Sequence, residues 1–324
     1  MTALVDLPAQ VSQIIDIRRL GGSELDPLLR EETVDWDREL DWDFSKSADL
    51  VRKLADARRL GGAALLDGSD VGGYGYFGVD RHKGLIAGVY VRPRWRGGDA
   101  EAALLRCLLN SLRGVSGVRR IESQLMLVDA ASAQALQRHE RVQLFERLLM
   151  KREANTPLPP GRESGTPKFR LEPWDDGRFD VAAAGMSRAY AGHIDARIND
   201  EYGSFAGAQH LLRNLMQFPG CSTFHRAASY IGFHRTTGAA AGMVLASFVA
   251  EDVGHIAEIC VTPEARGAGL GHELLLQSIA KLREQGAKRV TLAVTAANEE
   301  AVGLYRRFGF REARRFYAYV WEAN

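Results

Sequence analysis

A strand-like run and an amphipathic run are joined by Arg266-Gly267-Ala268-Gly269-Leu270-Gly271-His272. Glycines at alternate positions let the backbone take φ > 0 and come close to a ligand. Successive amide N–H groups at a helix start, reinforced by the helix dipole, form a site for a phosphate or pyrophosphate. Two common phosphate loops do not fit. A Walker loop needs Gly-Lys-Ser/Thr where this chain has Gly271-His272-Glu273, and a dinucleotide fingerprint spaces its glycines G-x-G-x-x-G. Directly before the loop lies HIAEICV, residues 255–261, with two groups able to take a proton, His255 and Glu258. Strand alternation puts His255, Ala257, Ile259 and Val261 on one face and Glu258 and Cys260 on the other, unless a bulge breaks the period. A histidine titrates near neutrality and suits a base; Cys260 reads as a small buried apolar residue.

The run V-x-P-x-x-R-G-x-G-x-G, Val261 to Gly271, resembles the acetyl-CoA loop of the GNAT superfamily of N-acetyltransferases. That family's second signature, N-x-x-A-x-x-L-Y-x-x-x-G-F, is matched by Asn298, Ala301, Leu304, Tyr305, Gly309 and Phe310. The resemblance covers residues ~170 to 324. It implies a mixed, mostly antiparallel sheet with flanking helices that binds acetyl-CoA in a V-shaped opening between two strands. It implies further that backbone around Ile259, Cys260 and Val261 faces the thioester and supplies an oxyanion donor. Arg266, Gly267, Ala268, Gly269, Leu270, Gly271 and His272 would hold the pyrophosphate. Asn298 would hold the pantetheine arm or fix Tyr305. Tyr305, with a reference pKa of about 10, would protonate the leaving thiolate. The acceptor amine must be neutral to attack, so a base takes its proton. The family often places that base eleven residues before the loop's Arg, and 266 − 11 = 255 is His255; Glu258 is the alternative. In this family the acceptor pocket is built by the first two helices and their connection. Here that is AGHIDARINDEYGSFAG, residues 191–207, with His193, Asp195, Asp200, Glu201 and Tyr202. As a group they point to a cationic or polar small amine.

The elements that must position these groups alternate along the second half. Helix spacing appears over VAAAGMSRAYAGH and AGAQHLLRNLM, then strands over ASYIGFH, AAGMVLASFV and HIAEICV. After the glycine loop come a helix, the strand VTLAVT, a helix over EEAVGLYRRF and a last strand near RRFYAYVWE. That order indicates an α/β (α+β) domain. The segment 154–168, ANTPLPPGRESGTPK, lacks a periodic apolar face and reads as an extended linker. The expected division is therefore 1–153, 154–168 and 169–324.

The first half repeats the second. Val91, Pro93, Arg96 and Gly97 match Val261, Pro263, Arg266 and Gly267 at an offset of 261 − 91 = 170. Asp99 and Glu101 stand where Gly269 and Gly271 would be, and two carboxylates facing a pyrophosphate would repel it. Aligning Ala133 and Leu136 with Ala301 and Leu304 puts Gln137 at the Tyr305 position and Arg141-Val142 at the Gly-Phe end. The expectation is two tandem GNAT-like domains, a degenerate copy followed by an intact one. That arrangement is similar to the mycothiol synthase family, although His255 sits where that family shows a carboxylate. Arg92, Arg94 and Arg96 read as a solvated strand edge.

With 324 residues, two domains are expected. Lys plus Arg less Asp plus Glu is 42 − 41 = +1, so no bulk positive field draws nucleic acid. Three scattered cysteines argue against a disulfide framework or a cysteine-rich zinc site, and a metal is not expected. No run reaches the ~18 apolar residues of a membrane span, and the N-terminus has no signal-peptide pattern. The expectation is a cytoplasmic monomer or homodimer that transfers acetyl from acetyl-CoA to a small-molecule amine in a ternary complex. An acyl-CoA-binding sensor without catalysis and a peptide or protein N-acetyltransferase are the alternatives.

Overall fold

The computed structural model describes residues 13–68, 70–96, 99–161, 168–217 and 222–322. Gly97, Cys221 and linker residues 162–167 lie outside them. The chain forms two compact units, one of residues up to Arg147 together with Arg315 onward, the other Leu148–Arg314.

In the first unit, strand β1 (Gln13–Asp16) is followed by helices α1 (Gly22–Leu40) and α2 (Ser45–Asp56). Strands β2 (Gly61–Asp67), β3 (Asp70–Asp80) and β4 (Lys83–Val91) then lead to α3 (Asp99–Arg113), β5 (Arg120–Leu125) and α4 (Ala130–Gln137). The sheet runs β1-β2-β3-β4-β5 and is completed, beside β5, by the last strand of the chain. Among the described residues it is antiparallel except for β4 with β5. Leu104, Leu105, Leu108, Leu109 and Leu112 form one stripe of α3 at the spacing of an amphipathic helix, and they fill the core over β4 and β5.

The second unit takes in the end of β6 (Gln143–Glu153), β7 (Phe169–Pro173), α5 (Phe179–Ala189), the short α6 (Asp195–Ile198) and α7 (Phe205–Gln217). Then come β8 (Thr223–Phe224), β9 (Tyr230–His234), β10 (Ala240–Ala250), β11 (Val253–Val261), α8 (Leu270–Glu284), β12 (Arg289–Thr295) and α9 (Glu299–Arg307). The chain ends on β13 (Arg311–Glu322). Within the second unit the strand order is β6-β12-β11-β10-β9-β7. Helices α8 and α9 pack on one face through Leu270, Leu274, Ile279, Val302 and Phe308. Helices α5 and α7 cover the other through Ala182, Met186, Ala208 and Leu212.

The two units share an internal plan, as the repeat predicts. β4 and β5 pair in parallel from Lys83–Arg120 to Ile86–Ser123; β11 and β12 pair from Val253–Arg289 to Ile256–Leu292. Each first strand carries one extra residue at the same place, Ala87 and Ala257, and 257 − 87 = 170. The expected domain boundaries need correction. The division falls at Arg147/Leu148, ahead of the linker, and β13 was expected in the second domain but joins the first unit from Arg315. The physical reason is packing. Tyr319 and Trp321 are buried in the α3–α4 core of the first unit. Residues 154–161 pack on the second: Ala154 is buried in its core, and Arg152 donates to the carbonyls of Phe308 at 2.7 Å and Thr156 at 2.5 Å. Among the described residues no helix is long and apolar enough to cross a membrane.

Candidate active site

The glycine loop enters α8 through two left-handed residues, Gly267 at φ 71° and Gly269 at φ 88°. A side chain is strained at either, which explains the glycines. The first bond of the helix ladder runs from Glu273 N–H to Gly269 O at 3.2 Å. The amides of Leu270, Gly271 and His272 precede it, so they sit at the positive end of a 15-residue helix, where an anion is favoured. The Arg266 guanidinium donates to Ala189 O at 2.8 Å, tying the loop to the end of α5. His272 turns to the linker instead of the loop, with Nε2 3.2 Å from Pro160 O and its ring edge-on to Phe308 at 4.9 Å.

Parallel pairing of β11 with β12 stops at Ile256 and Leu292, and the rest of β11 runs on with β10 alone. Thr262 N–H bonds Ala241 O on the β10 side at 2.8 Å. The period of two then turns the N–H groups of Val261 and Ile259 the other way, towards β12.

The bulge at Ala257 changes which residues share a face. Gly254 lies against Leu282 of α8, and Ile256, Ile259 and Val261 pack with the α8 core. His255, Glu258 and Cys260 therefore all face the α5 side, so simple alternation, which separated His255 from Glu258, does not hold. The two candidates have different surroundings. His255 is buried, with Nδ1 2.8 Å from Thr291 Oγ1, and burial pushes its pKa down to about 4. Near-neutral titration, one of the two grounds for expecting it to be the base, is thereby lost; its place eleven residues before Arg266 is the ground that stays. Glu258 is also buried, but each carboxylate oxygen accepts from a phenol: Tyr190 at 2.5 Å and Tyr202 at 2.8 Å. The two phenol rings stack with centroids 3.8 Å apart. Burial, then the charge of Glu258, hold the Tyr190 phenol well above its ordinary pKa, so it stays a donor. Burial likewise raises the Cys260 thiol.

Tyr190 escaped the sequence reading. It caps α5, 68 residues from Glu258, and looks like one more apolar residue of an amphipathic run. Its only signal was the tyrosine pair, Tyr190 and Tyr202, bracketing the polar connection. Tyr202 is presented by a 3-10 turn, Asp200–Gly203, capped where Asn199 Oδ1 accepts Glu201 N–H at 3.0 Å.

The other acceptor-side candidates are divided. His193 and Asp195 reach the ends of β12 and α9: His193 Nε2 lies 3.2 Å from Asn298 Nδ2, and Asp195 accepts the Thr295 hydroxyl. Glu201 instead pairs with His210, Oε1 to Nδ1 at 2.6 Å. Asn298 caps α9, its Oδ1 accepting Ala301 N–H at 3.3 Å. Tyr305, two turns along α9, is buried, with its ring edge-on to Phe310 at 6.0 Å.

The matching places in the first unit are filled differently. Gly88 stands at the Glu258 position, opposite Tyr76, whose ring lies 2.4 Å from where a Cβ would be. Trp95 is buried against Gly72. Glu101 does not face outward as a repelling charge: it is buried and accepts the Ser132 hydroxyl of α4. Asp99 is exposed, 3.9 Å from Arg138. The helix caps also move the match by one residue. Tyr305 is seven past its cap Asn298, and seven past the cap Asp129 is Leu136, fully buried, not Gln137. The three arginines are ion-paired rather than merely solvated: Arg92 with Glu31 and Asp70, Arg94 with Asp67 and Asp70, Arg96 with Asp35 and Glu39.

Comparison with known proteins agrees with this geometry. The model of the acetyltransferase (GNAT) family matches residues 196–310. A mycothiol acetyltransferase of Thermobispora bispora is 32% identical over 283 residues, 81% of this chain and 88% of that protein. Two solved structures share the fold along nearly the whole chain. A GCN5-related N-acetyltransferase from Sphaerobacter thermophilus superposes with a TM-score of 0.66 at 17% identity, covering 98% of this chain and 96% of that one. A tandem GNAT protein from the clavulanic acid biosynthesis pathway superposes with a TM-score of 0.55 at 16% identity, covering 96% and 98%.

Proposed function

The chain belongs to the GNAT family of acetyltransferases, and from that premise we propose that its second unit moves an acetyl group from acetyl-CoA to the amine of a small molecule. Transfer is direct, within a ternary complex, at one active site per chain. The observation that carries this reading is the succession of three features along β11: the buried Glu258, the stretch Ala257–Val261 that has parted from β12 while Glu258–Val261 stay paired with β10, and the glycine loop that follows.

The residues present fit acetyl-CoA. Gly267 and Gly269 open the backbone, and the amides from Leu270 to His272 with the α8 dipole favour its pyrophosphate. Bound there, acetyl-CoA supplies an activated acyl group as a thioester. The N–H groups of Ile259 and Val261, turned towards β12, are placed to donate to the thioester oxygen. Glu258 takes the proton that the acceptor ammonium must lose. Glu258 is preferred over His255 because a histidine held near pKa 4 is a weak base. Tyr305 keeps a proton for the departing sulfur, and Asn298 fixes the start of its helix. The acceptor lies along the 191–207 connection. The mycothiol acetyltransferase relative supports a polar small amine.

The first unit takes no acetyl-CoA in this reading, because Glu101 and Leu136 stand where the loop glycine and the acid would be. Calorimetry with CoA is expected to give one equivalent per chain; two equivalent sites would overturn the single-site reading. A thiol-release assay with acetyl-CoA against glucosamine, aminoglycosides and short cysteine-free peptides tests the acceptor class, with fastest turnover expected among the small amines. Fastest turnover on peptides would favour peptide acetylation instead, and no turnover on any of them an acyl-CoA sensor. Tyr305→Phe should lower kcat about 10- to 100-fold with little change in CoA affinity, because it removes a proton donor and not a binding contact.

A further inference from the structure

We infer that Tyr190 and Tyr202 are positioning residues for Glu258, and that through Tyr202 the acceptor-binding connection itself sets the direction of the carboxylate. The inference rests on Glu258 being the base. A glutamate side chain has three torsions, so a carboxylate on a strand is not aimed by its backbone alone. Here both oxygens are bonded, one to Tyr190 at 2.5 Å and one to Tyr202 at 2.8 Å, which fixes the plane of the group. The phenols come from opposite ends of one segment, the cap of α5 and the turn Asp200–Gly203. Their stacked rings brace one another at 3.8 Å.

The two phenols differ in a useful way. Tyr190 is buried and permanently protonated, a fixed anchor. Tyr202 is only half-buried and lies among the residues expected to touch the acceptor. An acceptor that orders this connection would also order Tyr202, and with it the base. The connection is held to the same end of the unit at two further points, Asp195 to Thr295 and His193 to Asn298. Glu258, Thr295 and Asn298 belong to β11, β12 and the cap of α9, so a single segment reaches the three elements that carry the reaction.

The phenols have a second effect. A donor bonded to the charged form of a carboxylate favours that form. Removing one should move the acid limb of kcat/KM to higher pH, a change that a purely structural role would not produce.

The test uses the full chain, acetyl-CoA and the amine of the above panel that is turned over fastest. Tyr190→Phe, Tyr202→Phe, the double variant and Glu258→Gln are compared by kcat, by KM for each substrate and by pH profile. Each Phe variant is expected to lose about three- to tenfold in kcat, with an acid limb moved to higher pH and an unchanged KM for acetyl-CoA. The double variant should lose more than either. Wild-type kcat and an unmoved limb in both Phe variants, beside an inactive Glu258→Gln, would overturn the inference while sparing the base. A fully active Glu258→Gln would remove the base and the inference together. If Tyr190→Phe does not fold, Tyr202→Phe, at a half-buried position, decides alone.

Discussion

Glu258→Gln lowers kcat about 10²- to 10³-fold and leaves CoA binding within a factor of about two. The substitution keeps the shape of the side chain and both neighbouring phenols but removes the basic site. CoA affinity should be spared, because the proposed reading puts its pyrophosphate at the glycine loop and the start of α8, beyond Val261. Because the loss is in proton removal, it should shrink as pH rises and more of the acceptor amine is already neutral. His255→Gln is the control. His255 is buried, bonded to Thr291 and held near pKa 4, so its replacement changes stability more than the pH profile. Steady-state kinetics between pH 6 and 9 on both variants separates the candidates. A silent Glu258→Gln beside an inactive His255→Gln returns the role to His255.

Trp321→Ala destabilises the first unit by about 3–5 kcal/mol, although the residue lies near the end of the chain. Trp321 is 2% exposed, stacks with Tyr319 at 5.8 Å and packs with the leucine stripe of α3. Its indole N–H has no hydrogen-bond partner, so the loss is one of packing, without a broken bond. Hydrogen exchange should show weaker protection in α3 and β5 while α8 keeps its own. Loss of protection in α8 with α3 unchanged would show that β13 serves the second unit instead.

The glycine loop was legible because its constraint is local: two left-handed residues at the mouth of a helix admit little but glycine. The α/β order and the repeat were legible for a similar reason, since amphipathic periods are written in short windows. The faces of His255 and Glu258 were not, because one extra residue at Ala257 inverts alternation and leaves no mark in composition. Tyr190 was hidden by distance along the chain, since its contact with Glu258 exists only once α5 lies over the sheet. The strand at the end of the chain was read correctly as a strand and assigned to the wrong partner. Alternation reveals which residues face a core, but not whose core it is. Glu101 was expected to repel an anion from outside; it turned inward because Ser132 offers a hydroxyl there.

The place of β13 also bears on how the chain is made. Domains tend to fold as they leave the ribosome, N-terminal first. Here the first unit is synthesised first and completed last. From the end of β5 to Arg315 the ribosome adds 315 − 125 = 190 residues, about 10–40 s of elongation at ~5–20 residues per second. During that interval β5 has an open edge, the kind of strand that pairs with whatever is offered. On a crowded polysome the nearest offer is the finished β13 of a neighbouring nascent chain, which would link two copies by exchange. Slower elongation or a holding chaperone should therefore change the yield of unexchanged chains without changing a single contact of the finished fold.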